Sequence, residues 1–489
     1  MPSAARGQIL IDLNQQIAVV GPGRLGINLN FLVDDETERH PKRPLQAALK
    51  EMGVQSLRFP GGEESDGYLW SVPPFSRSVP TLARTGAAEW PANDRRFTFP
   101  DQKTLRDTLD FDEFMAIAKE VRAEPVLVVC YDSMYKEPHD GGTAPDRRQL
   151  LETAVQWVRY ANITKGYGVK YWEIGNESYL ESNNGAAMAA QYAADLKEFS
   201  AAMKAVDPTI KIGANGSGLE WWSVVLATAS SHIDFLSVHV YPVWAWDSYE
   251  YYRRNQVDFM GPIVEAMEAT RTYAPDADRR RLRIAVTEAN VGDWSPIFAW
   301  ANDNDLGHAL VMFDLLGQLL SVPEIDMVHL WTTRWITQRL LPDVYDALSL
   351  DNDLHPIGRA LAIWGQYGGR RLVATAANEP LRVYASCASE GQRITILILN
   401  KAAATQTVAV STMQSVEPKP LERWVFRGAG PTDRHPVWER LPDVELTNPF
   451  SIELSPFSIT VLSETNHQES QQNTAMDAGK IFLSKEFSY

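Results

Sequence analysis

Two glutamates, Glu177 and Glu288, stand where chemistry is easiest to build. Each closes a short run rich in aromatic and branched residues, Tyr171-Trp172-Glu173-Ile174-Gly175-Asn176-Glu177 and Leu282-Arg283-Ile284-Ala285-Val286-Thr287-Glu288, of the composition that strands prefer. Taken alone, Gly175-Asn176 is an ordinary turn and Glu177 a solvated carboxylate or a helix-start charge. Two carboxyls delivered in the same way by two strand-like runs make a pair. If one is kept protonated and the other ionised, such a pair can protonate a leaving group while stabilising or attacking the centre it departs from.

A carboxyl pair is useful only on a scaffold that brings strand ends together. From Arg24 to Trp331 about eight short apolar runs alternate with helix-like segments: 24–33, 56–59, 125–130, 171–174, 210–213, 233–241, 282–288 and 326–331. Helical spacing is clear in Phe111, Phe114, Met115 and Ala118, and in the segments 261–273 and 306–320. This periodicity predicts a (β/α)8 TIM barrel over residues 21–367, somewhat longer than the usual ~250 residues. An open doubly wound sheet is the runner-up. It needs a Gly-rich phosphate loop, for which Gly61-Gly62 is too short.

Beyond 367 the pattern becomes short β runs separated by polar turns, which predicts a C-terminal antiparallel β-sandwich domain over 368–465. The N-terminal strands, residues 1–20, read as a pair broken at Asn14 that joins the sandwich. Residues 466–489 form a polar tail. The long stretch from Glu63 to Phe99 is of a length usually found in functional or disordered loops and could serve as a lid.

Composition excludes several partners. Of 489 residues, 45% are hydrophobic and 22% charged, which is ordinary globular usage. A net charge of −16 argues against nucleic acid. No run approaches the ~18 apolar residues a membrane helix needs. Met1-Pro2-Ser3-Ala4-Ala5-Arg6 has no apolar leader core, so the chain reads as cytoplasmic, or as a secreted chain whose leader has been removed. The two cysteines, Cys130 and Cys387, read as buried free thiols rather than a disulfide. No metal-ligand spacing appears, His139-Asp140 included, so no metal and no cofactor is expected. Whether copies associate into a homo-oligomer is open.

In a barrel the active site forms at the C-terminal strand ends. The residues there are Asn28 and Asn30, Arg58, Tyr131 and Asp132, Asn176 and Glu177, Asn215, His239 and Tyr241, Glu288, and Trp331. Hydrogen-bonding groups beside aromatic rings suit a sugar, and two carboxyls suit glycoside hydrolysis. Bland readings stand beside these: Arg58 as a structural ion-pair partner, His239 as a satisfied core histidine, Trp331 as core. Trp221-Trp222 and the run Trp244, Trp246, Tyr249, Tyr251, Tyr252 are sugar platforms or loop packing.

The combination Leu57-Arg58-Phe59-Pro60-Gly61-Gly62, Trp172 to Glu177, Asp234 to His239, and Val286-Thr287-Glu288 resembles clan A of the glycoside hydrolases, most of all family 51, the α-L-arabinofuranosidases and some endoglucanases. The resemblance spans about 20–465. It implies a retaining double displacement on an oligo- or polysaccharide, with Glu288 as nucleophile and Glu177 as acid/base. It also implies that Asn176 bonds the sugar 2-hydroxyl, Arg58 holds Glu288 ionised, His239 and Tyr241 orient the site, and Trp331 lies under the sugar. Family 51 usually places a substrate-binding glutamate in its first strand, where this chain offers Asn28 and Asn30. A β-xylosidase or an endo-β-glucanase of the same clan is the alternative activity. Outside that class stand a non-catalytic carbohydrate-binding barrel and a lyase or isomerase.

Overall fold

The structure, a computed structural model, describes residues 7–21, 23–36, 39–70, 82–85, 108–135, 144–180, 185–243, 246–292, 300, 302–335, 343–387 and 393–464. The polar tail, His139-Asp140, Trp244 and most of the 63–99 loop lie outside them.

The chain divides into two compact units, one comprising Ile17–Gly368 with Gly428–Pro436 and the other the described parts of Met1–Gln16, Gly369–Arg427 and Val437–Tyr489. The strands, in chain order, are β1 (Gln8–Val19), β2 (Leu25–Asn28), β3 (Ser56–Phe59), β4 (Tyr68–Trp70), β5 (Leu82–Thr85), β6 (Glu124–Val129), β7 (Tyr171–Ile174), β8 (Lys211–Asn215), β9 (Phe235–Val240), β10 (Arg283–Ala289) and β11 (Ile325–Leu330). Eight of them close a barrel in the order β10-β11-β2-β3-β6-β7-β8-β9, and every adjacent pair is parallel. The continuous apolar character of the runs is explained by burial on both faces: Val126 to Val129 and Val286 are at most 1% exposed. Val126, Phe235, Ala285 and Met327 form an interior cluster, with Tyr171 packed against it. They sit near the starts of their strands and fill the barrel end opposite the strand termini, leaving polar side chains to the other end.

Helices return the chain between strands, and their ends carry local signals. Asp110 and Asp146 each complete a capping box, at the helices Phe111–Val121 and Arg147–Val158. Trp221 and Trp222 lie in a helix, Leu219–Ala229, where they are buried, and the Trp221 indole donates to the Asn215 carbonyl. Trp246 and Tyr252 are likewise buried, and the Tyr252 hydroxyl donates to Asp314. Of the aromatic groups beyond strand ends, these four therefore belong to packing rather than to a sugar platform.

The second unit is built on β1 with β12 (Arg371–Ala376), β13 (Leu381–Cys387), β14 (Ile394–Asn400), β15 (Gln406–Thr412), β16 (Lys419–Arg427), β17 (Val437–Leu446), β18 (Phe450–Leu454) and β19 (Ser458–Ser463). These form one continuous nine-stranded sheet in which β12-β13, β13-β14, β14-β19, β19-β16, β16-β17 and β15-β18 pair antiparallel and β1 pairs in parallel with β15. The sheet folds over a core that includes Ile9, Ile11, Val383, Ile396, Val410, Phe450 and Leu462. Residues 8–19 are a single strand, not a pair broken at Asn14, because Ile9, Ile11 and Leu13 alternate into that core without interruption.

Candidate active site

The two glutamates reach the same place by different backbone devices. In β10, Ala285 and Thr287 face the barrel interior: Ala285 joins the apolar plug, and Thr287 Oγ1 meets Ser237 Oγ. Strict alternation would turn residue 288 outward. A bulge lies between Val286 and Glu288, so that Val286 pairs with Val238 while Glu288 pairs with His239. The extra residue re-aims Glu288 inward. Glu177 sits beyond the end of β7 in a turn where Gly175 has φ 71° and Glu177 itself φ 49°. A left-handed backbone is uncommon for a residue other than glycine, and where it persists its surroundings enforce it. Here Ser178 N–H donates to Asn215 Oδ1 at 2.9 Å and Ser178 Oγ to Asp132 Oδ2 at 2.8 Å. A Cβ on Gly175 would lie 2.6 Å from Ser178 Oγ and 2.7 Å from Asp132 Oδ2, so only glycine fits that position.

Arg58, at the end of β3 and fully buried, ties the interior together. Its Nε donates to Glu173 Oε2 at 2.9 Å, Nη1 to Glu288 Oε1 at 2.9 Å and to Asn28 Oδ1 at 3.0 Å, and Nη2 to Asn176 Oδ1 at 2.8 Å. The planar guanidinium can satisfy four acceptors in one plane, which an ammonium cannot. The two readings of Arg58, ion-pair partner and site residue, describe the same contacts. Glu173, also fully buried, accepts in addition from Ser237 Oγ. Sequence reasoning does not single it out. The available signal is its position on the same strand face as Gly175, two residues on, between the outward-facing Trp172 and Ile174.

Around the pair, Tyr241 O–H donates to Glu288 Oε2 at 2.6 Å and Tyr179 O–H to Glu177 Oε1 at 2.9 Å. His239 Nδ1 lies 2.8 Å from Glu177 Oε1 and 3.6 Å from Glu288 Oε2. An oxygen of each glutamate and a nitrogen of His239 all fall within 4.8 Å of one another. Those three atoms could also face a cation. Both oxygens of Glu288, however, already accept from Arg58 and Tyr241, an arrangement suited to a carboxylate that reacts rather than ligates.

The electrostatics follow from burial and charge. Burial works against a charged His239, yet Glu288 and Glu177 beside it make it hold a proton more tightly than usual. Burial would raise Glu177, but the hydrogen bond and charge of His239, then Tyr179 and Arg58, hold it below the ordinary carboxylate range. Glu288 is pushed above that range by burial, with Glu177 adding to the rise while His239, Arg58 and Tyr241 oppose it.

The remaining sequence-predicted residues fall in two groups. Asn28 spends its amide on scaffold, donating to the carbonyls of Thr287 and Leu330 while accepting from Arg58. Asn30 Nδ2 donates to Glu64 Oε1 at 2.6 Å, and its Oδ1 accepts from Leu32 N–H. Tyr131 donates to Asp195, away from the pair. Trp331 is 2% exposed, and its ring borders Gly62. A Cβ on Gly62 would overlap Glu288 Oε1 and come within 2.8 Å of the Trp331 ring. Gly62→Ala is therefore expected to displace the Glu288 carboxyl and lower kcat by roughly 100-fold, since an ångström of misplacement costs about that much. Steady-state kinetics on any cleaved substrate checks it, and an unchanged kcat would show that Glu288 can move without loss.

Known proteins resemble this chain in sequence and in fold. Residues 48–257 match the alpha-L-arabinofuranosidase 1 domain. Over 274 residues the chain is 25% identical to the intracellular exo-alpha-(1->5)-L-arabinofuranosidase 1 of Bacillus subtilis, a match covering 51% of this chain and 49% of that one. In sequence the chain is thus similar to α-L-arabinofuranosidases. It spans about half the length, or less, of the curated relatives it matches. Among solved structures, an α-L-arabinofuranosidase from Thermotoga maritima in complex with arabinose shares its fold, with TM-score 0.71 at 21% identity over 94% of this chain and 99% of that one. CelM2, a bifunctional glucanase-xylanase from a metagenome library, shares it at TM-score 0.63 and 15% identity, over 93% and 98%.

Proposed function

We propose that the protein is a retaining glycoside hydrolase, an α-L-arabinofuranosidase acting on an oligo- or polysaccharide, with Glu288 as nucleophile and Glu177 as acid/base. The observation that carries this reading is the separation of the pair. Carboxyl oxygens of Glu177 and Glu288 lie within 4.8 Å. Retaining enzymes hold their carboxyls ~5–5.5 Å apart, whereas inversion needs ~6.5 Å or more to admit a water.

In the first half-reaction a Glu288 oxygen attacks the anomeric carbon as the bond to the leaving oxygen breaks, and Glu177 gives that oxygen a proton. His239 Nδ1, 2.8 Å from Glu177 Oε1, is placed to exchange a proton with it. The glycosyl ester is then cleaved by a water that Glu177 deprotonates, and Glu288 leaves as a carboxylate. Arg58 and Tyr241 stabilise that carboxylate as its charge returns. Asn176, its carbonyl oxygen committed to Arg58, has its amide N–H2 to offer the sugar 2-hydroxyl.

The test is initial hydrolysis rates on aryl α-L-arabinofuranoside, aryl β-D-xyloside, aryl β-D-glucoside and soluble β-glucan, with and without EDTA. Cleavage of the arabinofuranoside that withstands EDTA is expected. Preference for the xyloside or the glucan would replace the sugar and keep the mechanism; activity restored only by added divalent metal would overturn the mechanism.

A further inference from the structure

A third carboxyl stands beside the catalytic pair without a role in the chemistry above. Glu64 lies in the 3-10 turn Glu63–Gly67 that follows Pro60-Gly61-Gly62, and it is 1% exposed. Its Oε1 accepts from Asn30 Nδ2 at 2.6 Å, while its Oε2 is buried with no hydrogen-bond partner. An unpaired buried carboxyl oxygen is costly, and natural interiors keep few of them without a use. The neighbouring glycines leave room at this spot: a Cβ on Gly61 would stand 3.2 Å from Glu64 Oε2, and one on Gly62 would overlap Glu288 Oε1.

We propose that Glu64 is a specificity-determining residue that binds one hydroxyl of the sugar through this unpaired oxygen. The inference rests on the glycosidase reading. Glu288 is itself 5% exposed, so a ring close enough for its anomeric carbon to be attacked must descend to the same depth and meet what lies beside Glu288. Burial raises the Glu64 carboxyl to about 8, with the charges of Glu63 and Glu288 adding to the rise and its own backbone N–H and Asn30 opposing it. Near neutral pH the group is therefore mostly protonated. With Oε1 accepting from Asn30, the O–H sits on Oε2, as a donor awaiting an acceptor. A sugar hydroxyl supplies that acceptor without bringing a second negative charge next to Glu288. Asn30 then acts through Glu64 as a positioning residue.

The experiment compares wild type, Glu64→Ala and Glu64→Gln on the aryl glycoside that wild type cleaves and on its monodeoxy analogues, each lacking one hydroxyl, with thermal melts to verify folding. Glu64→Ala is expected to lower kcat/KM on the intact sugar by about 100-fold, as for a lost hydrogen bond in a site built around it. On the one analogue lacking the partner hydroxyl the loss should shrink to less than about threefold. Glu64→Gln keeps an N–H donor and should stay within about tenfold of wild type. If Glu64→Ala fails to fold, the smaller loss in Glu64→Gln must vanish on that same analogue. Equal losses on every substrate, or no loss, would overturn the role of Glu64 while leaving the glycosidase reading intact. A wild type that cleaves no glycoside in the panel would overturn both.

Discussion

Glu288→Ala is expected to lose hydrolysis by on the order of 10^4-fold or more, because it removes the carboxylate that forms the covalent intermediate. Glu177→Ala should lose as much on substrates with poor leaving groups. It should lose far less in the first step on aryl substrates whose leaving group needs no proton, so that the glycosyl-enzyme accumulates and a burst appears. Sodium azide separates the two roles by stereochemistry. In Glu288→Ala the small anion enters the space left by the carboxylate and attacks the intact substrate, giving a glycosyl azide of inverted configuration. In Glu177→Ala it replaces water in the second step and gives the retained anomer. Product configuration by NMR decides between the assignments. A retained azide from Glu288→Ala, or wild-type turnover by that variant, would sink the assignment of nucleophile.

Arg58→Ala should damage stability and chemistry together. The guanidinium is fully buried and ion-paired at 2.9 Å to both Glu173 and Glu288. Removing it strands two carboxylates in the barrel interior, a loss of roughly 3–5 kcal/mol for a broken buried pair. A chemical denaturation midpoint well below wild type is the expected readout. The sign of the pH effect follows from the same contacts. Arg58 favours the ionised form of Glu288, so without it Glu288 is protonated at higher pH and the acidic limb of kcat/KM moves upward. Arg58→Lys keeps a charge but cannot span both carboxylates and both amides, and should fall between the two. An Arg58→Ala protein as stable as wild type, with an unmoved acidic limb, would contradict this account.

Much of the scaffold is legible in the amino-acid sequence, for a physical reason. Barrel strands are buried on both faces, so the eight runs from 24–33 to 326–331 stand out as apolar segments between amphipathic helices. The second unit is less legible where burial is one-sided or slight. β17 escapes notice because Val437–Leu446 reads as Val-Trp-Glu-Arg-Leu-Pro-Asp-Val-Glu-Leu and most of it is at least partly exposed, as an edge strand tolerates. The polar Asn14-Gln15-Gln16 makes one strand look like two. In the site, residues at strand ends are visible because strand ends are predictable. Glu173 and Tyr179 are not, since their value lies in what they touch: an arginine 115 residues away in one case and the acid two positions earlier in the other. Glu64 is hidden in a loop whose two adjacent acids give no hint of which one is turned inward.

The bulge in β10 sets two polar side chains in succession on the same side of one strand. Elsewhere on a protein surface one residue more or less is often absorbed by a loop. Between Val286 and Glu288 the extra residue is absorbed within the strand itself, so that two successive side chains, Thr287 and Glu288, both face inward. Deleting Thr287 would restore regular alternation after the outward-facing Val286 and keep Glu288 opposite His239 and facing inward, at the loss of the Thr287 contact with Ser237. In a chain compared or redesigned against this one, a one-residue gap at this strand would therefore mark a lost bulge and not a lost nucleophile direction.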